Sequence, residues 1–229
     1  LGLTAVTLYF AALWFVSWAP LVVAAIFAML AYPLAWYVLH RWVLHSQILY
    51  RSPLTAAVWK RIHFDHHQDP HNLVVLFGAL YTTIPTIALV TMPIGYWIVG
   101  PAGAATAFAF GLLSTVFYEF SHCVQHLNTT PKSSYMRQIK KLHMAHHFHD
   151  ENGNFGITNF IWDRLFGTYY AEPKLRPKSA TVFNIGYTEE MAQRYPWVAN
   201  LSKGTRGDAN PRRFRSESTA PDAPSRAGR

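Results

Sequence analysis

The sequence predicts an all-α integral membrane protein in which four transmembrane helices pair into two hairpins and a helical cap lies on the cytoplasmic side. Three observations lead there. Residues 1–39 contain no Asp, Glu, Lys or Arg, and residues 72–118 contain none either. All 20 basic residues therefore fall outside these two blocks. All twelve histidines lie between His40 and His149, in the segments beside them. A net charge of +8 would point to nucleic acid in a soluble chain. Charge segregated in this way is instead what a bilayer imposes, and nucleic acid is excluded as a partner.

A spanning helix needs about 20 apolar residues to cross roughly 30 Å of hydrocarbon. The first block divides at Pro20 into spans at 3–19 and 21–39, the first of which is short enough to be re-entrant. The second divides at Gly100–Pro101 into spans at 80–99 and 101–120. Two hairpins return the chain to its starting side, so 40–72 and 121–229 share one face. Arg41, Arg51, Lys60, Arg61, Lys132, Arg137, Lys140 and Lys141 crowd the span ends there. That basic excess marks the face as cytoplasmic. Trp14, Trp18, Trp36 and Trp42 are expected to anchor span ends at the interface.

Within the cap, Ser52 before Pro53 reads as an N-cap with proline at the first helical position. Ser133 or Ser134 is expected to cap a matching helix that carries His143. The membrane domain is expected to occupy 1–171 and a cytoplasmic extension 172–202. Residues 203–229, rich in Arg, Pro, Ser and Gly, read as a disordered tail. The single cysteine, Cys123, excludes an internal disulfide. The chain opens on Leu1 rather than Met, so its natural start is expected upstream. Its first apolar run lacks the charged lead-in of a signal peptide.

The histidines gather in "HRWVLH" (40–45), "HFDHH" (63–67), "HCVQH" (122–126) and "HMAHH" (143–147). Helix positions i, i+3 and i+4 share a face. His63, His66 and His67 therefore point one way, as do His143, His146 and His147, and so do His122 and His126. His40 and His45 are five apart, which a regular α-helix splays by well over a right angle. They converge only if the helix ends or widens between them, or if they approach from different sides. A lone histidine is ordinarily a hydrogen-bonded core or surface residue, but ten in a doubled pattern are not explained that way. Neutral imidazole is the commonest side-chain metal ligand, and ten donors suffice for two metal ions with about five each. His71 and His149 stand outside the pattern and are either further ligands or groups that support one. Glu119, one turn before His122 on the same face, is a candidate acceptor for that ring's free N–H. Asp65 and Asp163 are candidates of the same kind, with a structural salt bridge as the competing role. Cys123 is about 100° round the helix from His122 and reads as a packing residue.

These four motifs, in this order, together with "NFGITNFIWDRLFGTYY" (154–170), resemble the fatty acid hydroxylase / sterol desaturase superfamily of integral-membrane di-metal oxygenases. The resemblance runs from about His40 to Tyr169. It is nearest the fatty acid 2-hydroxylase branch, judged from "HRWVLH", Asp69–Pro70 and "FGITNFIWDRLFGT". It implies that His40, His45, His63, His66, His67, His122, His126, His143, His146 and His147 are the metal ligands and make up the catalytic centre. Such a centre against the bilayer suits O₂ activation beside a lipid. Attack on an unactivated C–H bond needs a redox-active metal, so two iron ions are expected; zinc can replace them in isolated protein but has no redox chemistry. No flavin, haem or iron–sulfur signature occurs in this sequence, whereas many eukaryotic members carry a fused haem module. Electrons are therefore expected from a separate cytochrome- or ferredoxin-type protein and its reductase, docking on the basic face.

The expected reaction is hydroxylation of a fatty acyl lipid. A desaturase, or a hydroxylase of a sterol or carotenoid, would share the motifs. A histidine-lined metal transporter would place polar ligands inside its spans near the midplane, whereas these lie past the span ends.

Overall fold

In the computed structural model, which describes residues 1–202, every regular element is helical and no strand occurs among the described residues. The tail expected at 203–229 lies outside them. Helix α1 spans Gly2–Leu13 and α2 spans Trp18–Leu39. The chain leaves helix at 14–17 rather than at Pro20. Pro20 is the third residue of α2, where a backbone N–H would find no acceptor within the helix, so proline interrupts nothing. With 12 residues, α1 extends only about 18 Å at 1.5 Å per residue.

A π-turn at His40–Leu44 follows α2 directly. Then come α3 (Ile48–Arg51) and α4 (Pro53–Trp59), the latter capped by the Ser52 hydroxyl, which accepts the Leu54 N–H at 3.3 Å. A second π-turn, Lys60–Phe64, leads into α5 (Asp65–Gln68) and α6 (Leu73–Leu76). The long α7, Leu80–His126, leaves helical geometry at Val99 and Gly100. Gly100 takes φ +62°, a conformation glycine adopts without penalty. Two stretches, Trp18–Leu44 and Leu73–His126, are long and apolar enough to cross a membrane.

The arms of α7 on either side of Gly100 lie against each other. A Cβ on Gly95 would sit 2.2 Å from the Gly103 carbonyl oxygen, and one on Gly111 would sit 2.7 Å from Ile87 Cγ2. Both α1 and α2 pack along α7. Tyr32, Ile87 and Leu112 are buried between them, with Trp36 and Tyr118 against that cluster. Trp36, expected to anchor a span end, stacks on Tyr118 at 5.5 Å between ring centroids and lines the interior. Outward faces carry exposed Val22, Val23, Ile26, Phe27, Leu30, Leu89 and Trp97.

The remaining helices form the cap: α8 (Ser134–Phe148, capped by Ser133), α9 (Ile161–Leu165), α10 (Glu189–Arg194) and α11 (Trp197–Leu201). The segment 172–202 is built into it. Ile185, Tyr187 and Val198 share one buried cluster with Tyr50, Ala56, Trp59 and Phe64. At roughly 25 cal/mol per Å² of apolar surface removed from water, side chains of this size hold the extension firmly on α3 and α4.

Close glycine packing makes a specific demand. Replacing Gly103 by leucine drives carbon into the Gly95 carbonyl, 2.1 Å from where the new Cβ would stand. Overpacking of that kind costs about 1–3 kcal/mol or more. The unfolding midpoint in detergent is expected to fall by several degrees. Gly2→Ala, with nothing within 4 Å of its new methyl group, should leave it unchanged.

Candidate metal centre

Four segments deliver imidazoles to one place. The π-turn after α2 carries His40, and His45 caps its end. The His45 N–H bonds the His40 carbonyl at 3.1 Å, an i to i−5 pairing. This widened turn brings the two rings to 4.9 Å, although they are five residues apart. The second π-turn and α5 bring His63, His66 and His67; the end of α7 brings His122 and His126; α8 brings His143, His146 and His147. Nine of these ten are buried and His45 is partly so.

The rings sort into two groups. His66, His122, His126, His143 and His147 each offer a nitrogen, with all five nitrogens within 4.8 Å of one another. His40, His45, His67 and His146 do the same. His67 and His147 join the groups, their centroids 4.3 Å apart. His63 belongs to neither set but borders the second, with its ring 4.6 Å from His45 and 4.7 Å from His67.

These nitrogens fit a metal. In the first group His126 Nε2 stands 3.1 Å from His122 Nε2 and 2.9 Å from His143 Nε2, which is in turn 3.1 Å from His147 Nε2. Two nitrogens bound at right angles, each about 2.1 Å from one ion, lie about 3.0 Å apart. In the second group the orientation of the rings is fixed from behind. Nδ1 of His40 bonds the Phe155 carbonyl at 2.7 Å, Nδ1 of His67 the Val182 carbonyl at 3.1 Å, and Nδ1 of His146 the Gly153 carbonyl at 2.8 Å. A carbonyl only accepts, so the proton sits on Nδ1 and the Nε2 lone pair is left for a ligand. Nε2 of His45, His63, His67 and His146 is buried and has no hydrogen-bond partner. Burial, reinforced by neighbouring imidazoles, pushes His63, His66, His143, His146 and His147 well below the usual histidine range, and His67 down to about 3. The rings are therefore neutral, which is the form that binds a metal.

The loop behind His40 and His146 has its own support. Asn154, at φ +55°, exchanges two hydrogen bonds with the Tyr170 backbone. Asp163 is fully buried and accepts the N–H groups of Phe155 and Gly156 and the Thr168 hydroxyl, all at 2.7–2.8 Å. Tyr37 bonds Thr168 at 3.0 Å and accepts from Arg41 at 2.9 Å. Burial raises the Asp163 carboxyl, and these donors oppose the rise.

A family model described as fatty acid hydroxylase matches residues 25–168, more than half of the chain. The chain belongs to the fatty acid hydroxylase family. It is 30% identical over 158 residues to fatty acid 2-hydroxylase of Rattus norvegicus, covering 66% of this chain and 41% of the relative. It is 33% identical over 140 residues to the ceramide very long chain fatty acid hydroxylase SCS7 of Saccharomyces cerevisiae, covering 58% and 34%. It thus spans well under half the length of either relative. Among solved structures, full-length Scs7p, of which only the hydroxylase domain is visible, matches with a TM-score of 0.65 and 26% identity, over 76% of this chain and 66% of that one.

All twelve histidines of this member of the fatty acid hydroxylase family lie inside the matched segment, but the supporting groups expected from sequence are placed otherwise. Glu119 does not reach His122; its Oε1 accepts the Gly78 N–H at 3.2 Å. Asp65 pairs with Lys60 at 2.7 Å. Asp163 acts on the loop, one step removed from any imidazole. His71 bonds the His126 carbonyl at 2.9 Å, and His149 bonds the Arg176 carbonyl at 2.8 Å, and neither belongs to the two groups. The acceptors that do orient the rings are backbone carbonyls, which no residue letter announces. Asp163→Ala would strand two buried N–H groups, of Phe155 and Gly156, at about 1–3 kcal/mol each. Thermal unfolding should shift down by several degrees, and metal retained after dialysis should fall about tenfold or more as His40 loses its anchor.

Proposed function

We propose that this chain is a membrane-bound di-iron oxygenase that hydroxylates an unactivated C–H bond of a lipid acyl chain. The observation that carries this reading is the pairing of two imidazole groups with an apolar cavity that opens onto them. The cavity, of about 210 Å³, is lined at one end by His40, His63, His66, His122, His143 and His147, and elsewhere by residues such as Trp36, Leu39, Ile62 and Leu76. Relatives named as 2-hydroxylases favour hydroxylation over desaturation.

In this reading α2 and the two arms of α7 cross the bilayer, and α1, too short to cross, is the re-entrant arm of the first hairpin, with the histidines and the cap on the cytoplasmic side. Their exposed apolar faces and the basic residues at their ends support that orientation. His66, His122, His126, His143 and His147 would hold one iron; His40, His45, His67 and His146 would hold the other, with His63 beside them. Bound there, the iron pair would supply O₂ activation, with electrons from a separate cytochrome- or ferredoxin-type carrier and its reductase. The chain's own groups do the rest. Carbonyls of Phe155, Val182 and Gly153 aim the rings, and the apolar wall keeps water from the substrate carbon. Asp163, His71 and His149 support the surrounding backbone rather than the metal, and Asp65 pairs with Lys60.

Metal analysis of protein purified in detergent should find two ions per chain. His146→Ala and His147→Ala should each lower that number, abolish the hydroxylated product and leave the protein in the membrane. Lipid mass spectrometry of cells with and without the gene should reveal an acyl lipid that gains one oxygen. Full activity in His146→Ala, or weak metal that exchanges across liposomes, would sink the reading.

A further inference from the structure

One buried carboxylate lies outside both imidazole groups and still touches the backbone that aims them. Glu151 follows α8 by three residues and is buried. Its Oε1 accepts the Ser179 hydroxyl at 2.9 Å and the Thr181 hydroxyl at 2.5 Å. Its Oε2 is buried without a hydrogen-bond partner, and no ion pair among the described residues includes it. The same two stretches also meet through the backbone, where the Ser179 N–H bonds the His149 carbonyl at 2.8 Å.

Each stretch supplies a carbonyl to one ring of the second group. Gly153, two residues beyond Glu151, accepts from His146 Nδ1, and Val182, next to Thr181, accepts from His67 Nδ1. Those rings stand 5.0 Å apart. Both carbonyls lie in non-helical backbone, so no helical register fixes where they point. The first group is built differently. Its rings come from α5, α7 and α8, and Nδ1 of His66, His126, His143 and His147 is buried with no partner at all.

We propose that Glu151 is a positioning residue for the second group. By clasping 179–181 to 149–151 it sets the placement of the Gly153 and Val182 carbonyls, and through them the aim of His146 and His67. This rests on the two-ion reading above and adds that the two ions are held by different means. Helices place the rings of the first group, whereas a pair of loops closed by one carboxylate aims those of the second. Opening the clasp therefore releases one ion and not both. What the clasp needs is an acceptor rather than a charge, because both of its partners are hydroxyls. Glutamine keeps that acceptor and puts its NH₂ where Oε2 meets no donor.

The test titrates full-length protein, purified in detergent and stripped of metal with a chelator, with Co²⁺ followed by visible absorption and equilibrium dialysis. The wild type should take up two ions. In Glu151→Ala one binding step should weaken about tenfold or more, the range for losing a group that orients a ligand, while the other step keeps its affinity. Glu151→Gln should restore both steps. In a His45→Ala background, which leaves the first group whole, adding Glu151→Ala should not alter the ion that remains. If Glu151→Ala does not fold, Thr181→Val removes one of the two bonds and should weaken the same single step to a smaller degree. Unaltered binding in these variants, equal weakening of both steps, or failure of glutamine to restore them overturns the inference. A wild type that takes up fewer than two ions would count instead against the two-ion centre.

Discussion

A neutral imidazole donates with one nitrogen and accepts with the other, so a core that collects ten of them and spends ring protons on backbone carbonyls is left with lone pairs that no donor meets. The cap resolves this from one side only. Carbonyls of Phe155, Val182 and Gly153 take the Nδ1 protons of His40, His67 and His146, and the opposite nitrogens converge with nothing of the protein's own to bind. An unpaired buried polar atom costs roughly 1–3 kcal/mol, and at least four Nε2 atoms are in that state. Such a core is poorly stable as a purely protein structure and well suited to an ion. The donor set and the packing thus ask for the same thing.

Convergence depends on backbone irregularity in two places. A regular α-helix advances 100° per residue, which sends positions five apart to different faces. The π-turn at His40–Leu44 takes up one extra residue and brings His45 back beneath His40. Its counterpart at Lys60–Phe64 carries His63 and feeds His66 and His67 into the same space. Single π-turns are uncommon and concentrate at functional sites. Here the reason is geometric, since each sits where an apolar or capped helix must hand its last turn to a ring cluster without changing course.

This explains what could be read in advance. The charge-free blocks, the break at Gly100 and the i, i+3, i+4 histidine faces are periodic features, and periodicity is carried by residue letters. The His40–His45 spacing posed the question of a widened helix but could not answer it, because hydrogen-bond register has no letter. Glu119 was assigned to His122 by helical spacing alone. Spacing gives the face but says nothing of the Gly78 N–H arriving from another segment 41 positions away. Asp65 was lost to Lys60 through a backbone widened between them. The break falls at 14–17 and not at Pro20, because a proline in the first turn of a helix is no obstacle and residues 14–17 carry no proline or glycine to mark them.

The extension at 172–202 matters most for how far the centre reaches along the chain. It lies beyond the segment matched by the family model, and the sequence marks it only as an extension. Yet Val182 provides the carbonyl that fixes His67, the ring that links the two groups, and Gln68 donates to the neighbouring Phe183 carbonyl. That strand of backbone is held in turn by Ile185, Tyr187 and Val198 packing on Tyr50, Trp59 and Phe64. Ile185 sits at φ +43°, a conformation a β-branched residue takes only when its surroundings impose it. The same cluster that anchors the extension contains Trp59 and Phe64, which bracket the second π-turn. Loosening the extension would therefore disturb His63 and His67 together, from the carbonyl side and from the helix side. The centre is a property of residues 40–198 acting as one packed unit.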